Sequence, residues 1–312
     1  MALLALDLGG TKIAIAVFSA TGQILCHDTV LLNKATGQMV GRLITTQVEK
    51  YIQDYTIDSI GISIPGISRQ KSGTVWAPNI SGWDDYPLMK EVKYVSGDRY
   101  VSIDSDRACS IFGEQWQGNA KDCEDVIFMA VGTGIGAGIV VNGNLLRGAD
   151  DIAGAIGWMA LRKPFESKYI SCGCFEHYAS GEGMPRLTLK ILQSNDEPSI
   201  LRDVHPDQLK AHHVFNAYEK NDKLAAIVIK ECITYWGMAS ANLVSIFNPR
   251  KIIFGGGIFG PADKFIDKIK EEATKWAQPI SITKVDFEKS VLGANAAVYG
   301  AGYLALKNTN KI

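Results

Sequence analysis

The sequence predicts a two-lobed α/β protein, and three observations carry that expectation. At 312 residues the chain exceeds the usual size of one domain, so two domains of ordinary size are expected. An apolar strand, Leu3–Leu8, runs through Gly9-Gly10-Thr11 straight into a second apolar strand, Lys12–Phe18. From Asp125 onward the same succession recurs: strand, glycine loop, strand, helix, strand. A composition of 46% hydrophobic and 21% charged residues supplies a core for both halves.

Residues 3–8 and 12–18 read as strands, and 23–31 continues them as a meander. Met39, Val40, Leu43, Ile44, Val48 and Ile52 recur at helical spacing, which predicts a helix over about 37–55. Ile57–Ile64 is a buried strand ended by the turn Pro65-Gly66. Val101–Ile103 is a further strand, with a helix over 106–117. Three strands followed by helix and strand is the opening of an actin-like or ribonuclease-H-like ATPase lobe. In the second half, 125–131 is a strand, 132–138 a glycine loop and 139–141 the next strand, followed by the hairpin signal Asn142-Gly143. A long helix spans about 224–247, and strand 251–254 runs into Gly255-Gly256-Gly257. The expected architecture is therefore a two-lobed actin-like/ribonuclease-H-like ATPase fold with an interdomain cleft. One lobe takes residues 1–115 plus a C-terminal helix near 292–312, and the other takes 116–291.

Charge and cysteine usage exclude several classes. A net charge of −1 favours neither nucleic acid nor an anionic membrane as partner. The longest apolar runs are strand-sized, and the N-terminus lacks the basic and long apolar regions of a signal peptide. Six sparse cysteines read as free thiols of a reducing cytoplasm.

Two adjacent glycines at 9 and 10 allow a tight reversal through positive φ and leave backbone N–H groups bare for a phosphate. Asp7 is a hard-oxygen group suited to a hydrated Mg²⁺. Gly132-x-Gly134-x-x-Ala137 matches a dinucleotide fingerprint, but a strand follows it where that motif needs a helix. Interior glycines weaken strands, so three glycine loops (9–11, 132–138, 255–257) are better explained as backbone donors around a polyphosphate.

With these residues in place the chain resembles the ROK family (repressors, open reading frames and sugar kinases) along nearly its whole length. Asp7-Leu8-Gly9-Gly10-Thr11-Lys12 resembles the family's first phosphate loop, Gly132-Thr133-Gly134 with the glycines after it the second, and Gly255-Gly256-Gly257 the adenosine-side loop. Gly61–Gly66 and Ala77–Trp83 resemble its sugar-lobe segments. The resemblance implies ATP-dependent sugar phosphorylation with Mg²⁺, by a homodimer, with a sugar and phosphate lobe first and a nucleotide and dimerisation lobe second. It implies Asp106 as the general base, with Asp104 as rival, and Ser105 where the family has Asn. Asn79, Ser105, Asp106, Trp158 and Glu176 are the implied sugar-binding residues.

Departures from the family pattern are concentrated downstream. The family's Glu and His of Gly-Glu-x-Gly-His are Ala155 and Trp158 here, and two of its three zinc-binding cysteines are Ser167 and Tyr169. Zinc at a structural site needs four N or S donors, and Cys172, Cys174 and His177 lie too close in sequence to supply them well, so no structural zinc is expected. Phe165, Tyr169 and Phe175 are expected to pack in its place. Trp158 either offers a flat face to a sugar ring or fills the volume of the lost zinc site. A substrate other than plain glucose follows from the first option: a glycoside, a disaccharide or a modified hexose. The competing functions are a sugar-sensing pseudokinase and a repressor. The repressor reading lacks both a basic patch and room for a DNA-binding domain ahead of Leu3. Residues 181–222, with His205, His212 and His213, read as carrying scattered surface histidines.

Overall fold

Strand β1 (Ala2–Leu8) carries apolar side chains on both faces, as a strand covered from both sides must. Leu4, Leu6 and Leu8 enter one core cluster, while Leu3 and Ala5 enter another. Around β1 the structure, a computed structural model describing residues 1–309, builds the first of two units. Unit 1 takes Met1–Cys123, Leu145–Ala153 and the chain from Ser290 onward. β1 pairs antiparallel with β2 (Lys12–Ser19), and β2 with β3 (Ile24–Leu31). Helix α1 (Gln38–Asp54) crosses over to β4 (Ile57–Ile64), which runs parallel to β1. A small hairpin, β5 (Ile67–Arg69) and β6 (Thr74–Trp76), and helix α2 (Leu88–Ser96) precede β7 (Tyr100–Ser105), parallel to β4. The sheet order is β3-β2-β1-β4-β7, and α3 (Asp106–Gln117) leaves directly from the end of β7.

Unit 2 takes Glu124–Asn144 and Gly154–Lys289 and repeats the plan. β8 (Val126–Val131) and β9 (Ile135–Val141) pair antiparallel, and β10 (Asn144–Leu145) follows β9 in the sheet. Helices α4 (Cys174–Ala179), α5 (Gly183–Gln193), α6 (Ala211–Glu219) and α7 (Lys223–Phe247) lead to β11 (Lys251–Gly255), parallel to β8. Helices α8 (Ile266–Thr274) and α9 (Pro279–Ile282) lead to β12 (Asp286–Lys289), parallel to β11. The order β10-β9-β8-β11-β12 reproduces that of unit 1 strand for strand, so the ribonuclease-H-like lobe occurs twice. Helix α7 is long and apolar enough to cross a membrane by composition, but 67% of its apolar window is buried in the protein's own core.

Three details differ from the sequence-based expectation. The first crossing between units falls after Cys123 rather than 115, and Leu145–Ala153 returns to unit 1. Gly136, Ala137 and Gly138 belong to β9, opposite Ala130, Met129 and Phe128, so the glycine loop shrinks to 132–134. Strand pairing uses main-chain groups, which small residues offer as well as large ones. Helix α10 (Ala296–Thr309) is the expected C-terminal helix, and its anticipated last turn, to 312, lies outside the described residues.

Helix α10 closes unit 1 by backbone contact. A Cβ on Gly300 would collide with the Cys109 carbonyl of α3, and one on Gly61 with the Ala301 carbonyl of α10. Neither obstacle is a side chain that can turn away. Gly300→Ala is therefore expected to cost about 3 kcal/mol of stability, read as a lower midpoint in urea unfolding, while Gly10→Ala, with open space around it, leaves the midpoint unchanged.

Candidate active site

In unit 1 the site is built on the C-terminal ends of β1 and β7. The β1–β2 turn is closed by the Gly9 N–H donating to the Lys12 carbonyl at 2.8 Å. Neither Gly9 nor Gly10 adopts a left-handed φ, so reversal is not what requires them, contrary to the sequence-based argument. A Cβ on Gly10 would meet nothing within 4 Å. Thr11 and Lys12 are exposed beside it.

Asp7 accepts a hydrogen bond at 2.6 Å from the hydroxyl of Ser63 on the neighbouring β4. Burial, helped by the negative charge of Asp106, pushes its pKa up to about 6 against the opposing Ser63 bond. Two carboxylates held this close, with one lifted by lost hydration, form an environment that a hard dication relieves. Among the described residues no group of three His, Cys, Asp or Glu converges to chelate a metal. The donor set therefore fits a hydrated Mg²⁺ held through one or two carboxylates and substrate phosphates, rather than an all-protein cage.

At the β7–α3 junction, Ser105 is the N-cap: its hydroxyl accepts the Ala108 N–H at 3.3 Å. Asp106 starts the helix, and its Oδ1 accepts the Arg107 N–H at 2.8 Å. The Asp106 carboxyl reaches solvent, yet protein crowds it closely enough that lost hydration raises its pKa above the usual carboxylate range. Asp104, the rival base, is otherwise engaged. It is buried and gripped by both Arg147 guanidinium nitrogens, at 2.6 and 3.2 Å. Arg147 comes from the Leu145–Ala153 segment, whose Asp151 also accepts the Gln70 N–H at 3.1 Å. Asn79 is exposed at the crown of a short loop, held below by buried Ile80 and Trp83 and by the Ala77 N–H bond to the Trp83 carbonyl at 2.8 Å.

Unit 2 holds the other candidates. Glu176, at the start of α4, accepts the Ile135 N–H at 2.7 Å, which ties this carboxylate to the end of the Gly132–Gly134 loop. Burial raises the Glu176 pKa against that bond. A Cβ on Gly134 would press on the same carboxylate at 2.7 Å, so this glycine makes room for Glu176. Gly255 and Gly256 are likewise required internally, by the Phe128 ring and the Val131 carbonyl. Gly132 and Gly257 are not: a Cβ on either would meet nothing within 4 Å. Both line a pocket of about 310 Å³ with Thr133, Gly181, Glu182, Lys210 and His212. The sequence reading missed Gly181, Glu182, Lys210 and His212, and it took His212 for a surface histidine. Gly181 enters through its N–H bond to the Gly132 carbonyl at 2.7 Å, a contact across 49 residues that no local pattern announces.

The region of the lost zinc pattern is packed around tyrosines. The Tyr169 hydroxyl bonds that of Tyr178 at 2.9 Å and Glu166 at 2.9 Å, over the fully buried Phe175. Phe165 does not join this packing; it is 73% exposed and touches only the edge of Tyr169. Trp158 does not fill the volume either, because it remains 56% exposed, beside half-buried Ala155.

Two outcomes follow. Arg147→Met leaves the buried Asp104 charge uncompensated and should cost about 3 kcal/mol in urea unfolding, part of which Asp104→Asn restores in the double variant. Gly132→Ala and Gly257→Ala should leave that stability within about 0.5 kcal/mol, yet weaken AMPPNP binding at least about tenfold in calorimetry, because the added methyl occupies ligand space.

Comparison with known proteins identifies the family. A profile of the ROK family matches residues 3–308. A glucokinase from Halalkalibacterium halodurans is 30% identical over 319 aligned residues, spanning 98% of this chain and 95% of that protein. A xylose repressor from Caldicellulosiruptor bescii is 28% identical across 96% of this chain and 76% of its own length. A solved ROK family glucokinase from Streptomyces griseus, in complex with glucose and AMPPNP, has a TM-score of 0.81 at 27% identity, covering 98% of this chain and 100% of that one. Two ribonuclease-H-like units, glycine loops left open in each, and a match over residues 3–308 place the chain in the ROK family.

Proposed function

We propose that the protein is an ATP-dependent sugar kinase that phosphorylates the 6-hydroxyl of a hexose or hexose derivative, with Asp106 as general base. The observation that carries this reading is the set of open glycines. Gly10, Gly132 and Gly257 have no conformational or packing need to lack a side chain, so the space they keep belongs to a ligand. Relatives that are sugar kinases, one of them solved with glucose and AMPPNP, support phosphorylation of a sugar from ATP here.

Asp106 takes the proton of the attacking sugar hydroxyl. That oxygen forms its bond to the γ-phosphorus of ATP as the bond to the β–γ bridging oxygen breaks, and ADP leaves. A raised pKa makes Asp106 a better proton acceptor than an ordinary surface carboxylate. The β1–β2 turn and the Gly132–Gly134 loop offer backbone N–H groups to the phosphates. Asp7 would hold the hydrated Mg²⁺, which offsets phosphate charge when bound. Ser105 orients Asp106 by capping α3, while Asn79 and Glu176 bind sugar hydroxyls.

The half-exposed Trp158 supports a glycoside, a disaccharide or a modified hexose as substrate, since its apolar face suits a sugar ring. Ala155 removes a carboxylate from the same segment. A cytoplasmic homodimer without nucleic-acid or membrane partners completes the proposal, and light scattering on the purified protein tests the dimer.

ADP release with Mg²⁺-ATP should appear with one class in a panel of hexoses, glycosides and disaccharides, and Asp106→Asn should lower it about 10³-fold. Silence across the panel with AMPPNP still bound would instead mark a sugar-sensing pseudokinase. Trp158→Ala should raise KM for a glycoside or disaccharide about tenfold and leave KM for free glucose nearly unchanged; a clear kinetic preference of the wild type for free glucose would sink the substrate assignment.

A further inference from the structure

Arg107 follows the proposed base in the first turn of α3, and one nitrogen of its guanidinium lacks a hydrogen bond. Its Nη2 is buried without a hydrogen bond, the one side-chain nitrogen or oxygen in that condition among the described residues. A guanidinium stays charged at every relevant pH and carries five N–H donors. Arg107 as a whole is half-buried, but withdrawing even one of these nitrogens from water without a hydrogen bond is costly. Asp106 attracts the guanidinium through space, but no nearby carboxylate hydrogen-bonds it: Asp104 is gripped by Arg147, Asp7 accepts from Ser63, and Asp106 Oδ1 takes the Arg107 main-chain N–H.

We propose that Arg107 binds an oxyanion that arrives with the substrates and lies beside Asp106, making Arg107 a catalytic or specificity-determining residue of the transfer. This rests on the sugar-kinase reading. Two sources share the chemistry: the phosphoryl group in transfer, and a carboxylate or phosphate substituent on the sugar. A planar fork of N–H groups pairs with either in two parallel hydrogen bonds.

Arg107→Met and Arg107→Lys test the assignment in the full-length protein. Because the Met variant removes the buried nitrogen that lacks a hydrogen bond, its free form should melt a few degrees higher than wild type. Inorganic phosphate should raise the melting temperature of wild type and of the Lys variant more than that of the Met variant. With neutral sugars, a kcat about 100-fold lower in the Met variant, both KM values within twofold and partial recovery in the Lys variant identify the phosphoryl source. Loss of a preference for acidic over neutral sugars identifies the sugar source. The proposal is overturned if the Met variant melts lower than wild type, which marks Arg107 as packing, or responds to phosphate as wild type does. It is equally overturned if kcat, both KM values and the acidic-to-neutral ratio all stay within twofold. Wild-type silence on every sugar would overturn the kinase reading alone, since the phosphate response is read without turnover.

Discussion

Unit 1 depends on a contact whose closest points are main chain against main chain. Helix α10 meets β4 and α3 main chain to main chain, at Gly61, Gly113 and Gly300. Packing this close leaves α3 no freedom to slide or rotate on the sheet, and α3 carries Ser105, Asp106 and Arg107 at its start. An aromatic group made of Phe18, Trp116, Tyr299 and Tyr303 seals the flank of the same interface. A main-chain contact cannot relax by a change of rotamer, so the helix that carries the proposed base is held by close backbone packing.

Charge at the strand ends is organised around that helix. Asp7, Asp104 and Asp106 all lie at the C-terminal ends of β1 and β7, and burial penalises ionisation of Asp7 and Asp106. Arg147 pairs with Asp104, and of the two that remain the Asp106 charge raises the pKa of Asp7. The Leu145–Ala153 segment is thus an electrostatic component of the site, although nothing in its sequence marks it as one. The Arg107 Nη2 without a hydrogen bond lies in the same region, beside the two acids whose ionisation burial penalises.

Much of the fold was legible because its signals are local. β1, β2, β4 and α7 lie within a residue or two of their expected bounds, since apolar runs and helical periodicity need only neighbours in sequence. The second glycine loop was overestimated because Gly136 and Gly138 are pairing residues, and pairing depends on a partner strand. Short helices such as α4 and α6 gave no periodic signal over so few residues. The glycine positions of the site were readable, but their reasons were not. Gly255 and Gly256 are set by Phe128 and Val131, while Gly10, Gly132 and Gly257 are set by nothing inside the protein. Arg107 escaped notice because an arginine in the first turn of a helix looks like an ordinary surface charge until its burial is known.

The chain passes between the two units four times, after Cys123, Asn144, Ala153 and Lys289. Unit 1 therefore has segments on both sides of unit 2 in the chain, and helix α10 is made after every residue of unit 2. Until Ala296–Thr309 leaves the exit tunnel, the sheet face formed by Leu3, Ala5, Ala16 and Phe18 has no cover, because its partners Val298, Ala301 and Ala305 do not yet exist. Unit 2, whose residues end at Lys289, is fully synthesised while its older neighbour is still open. Unit 2 can thus close before unit 1, whose apolar sheet face waits for α10.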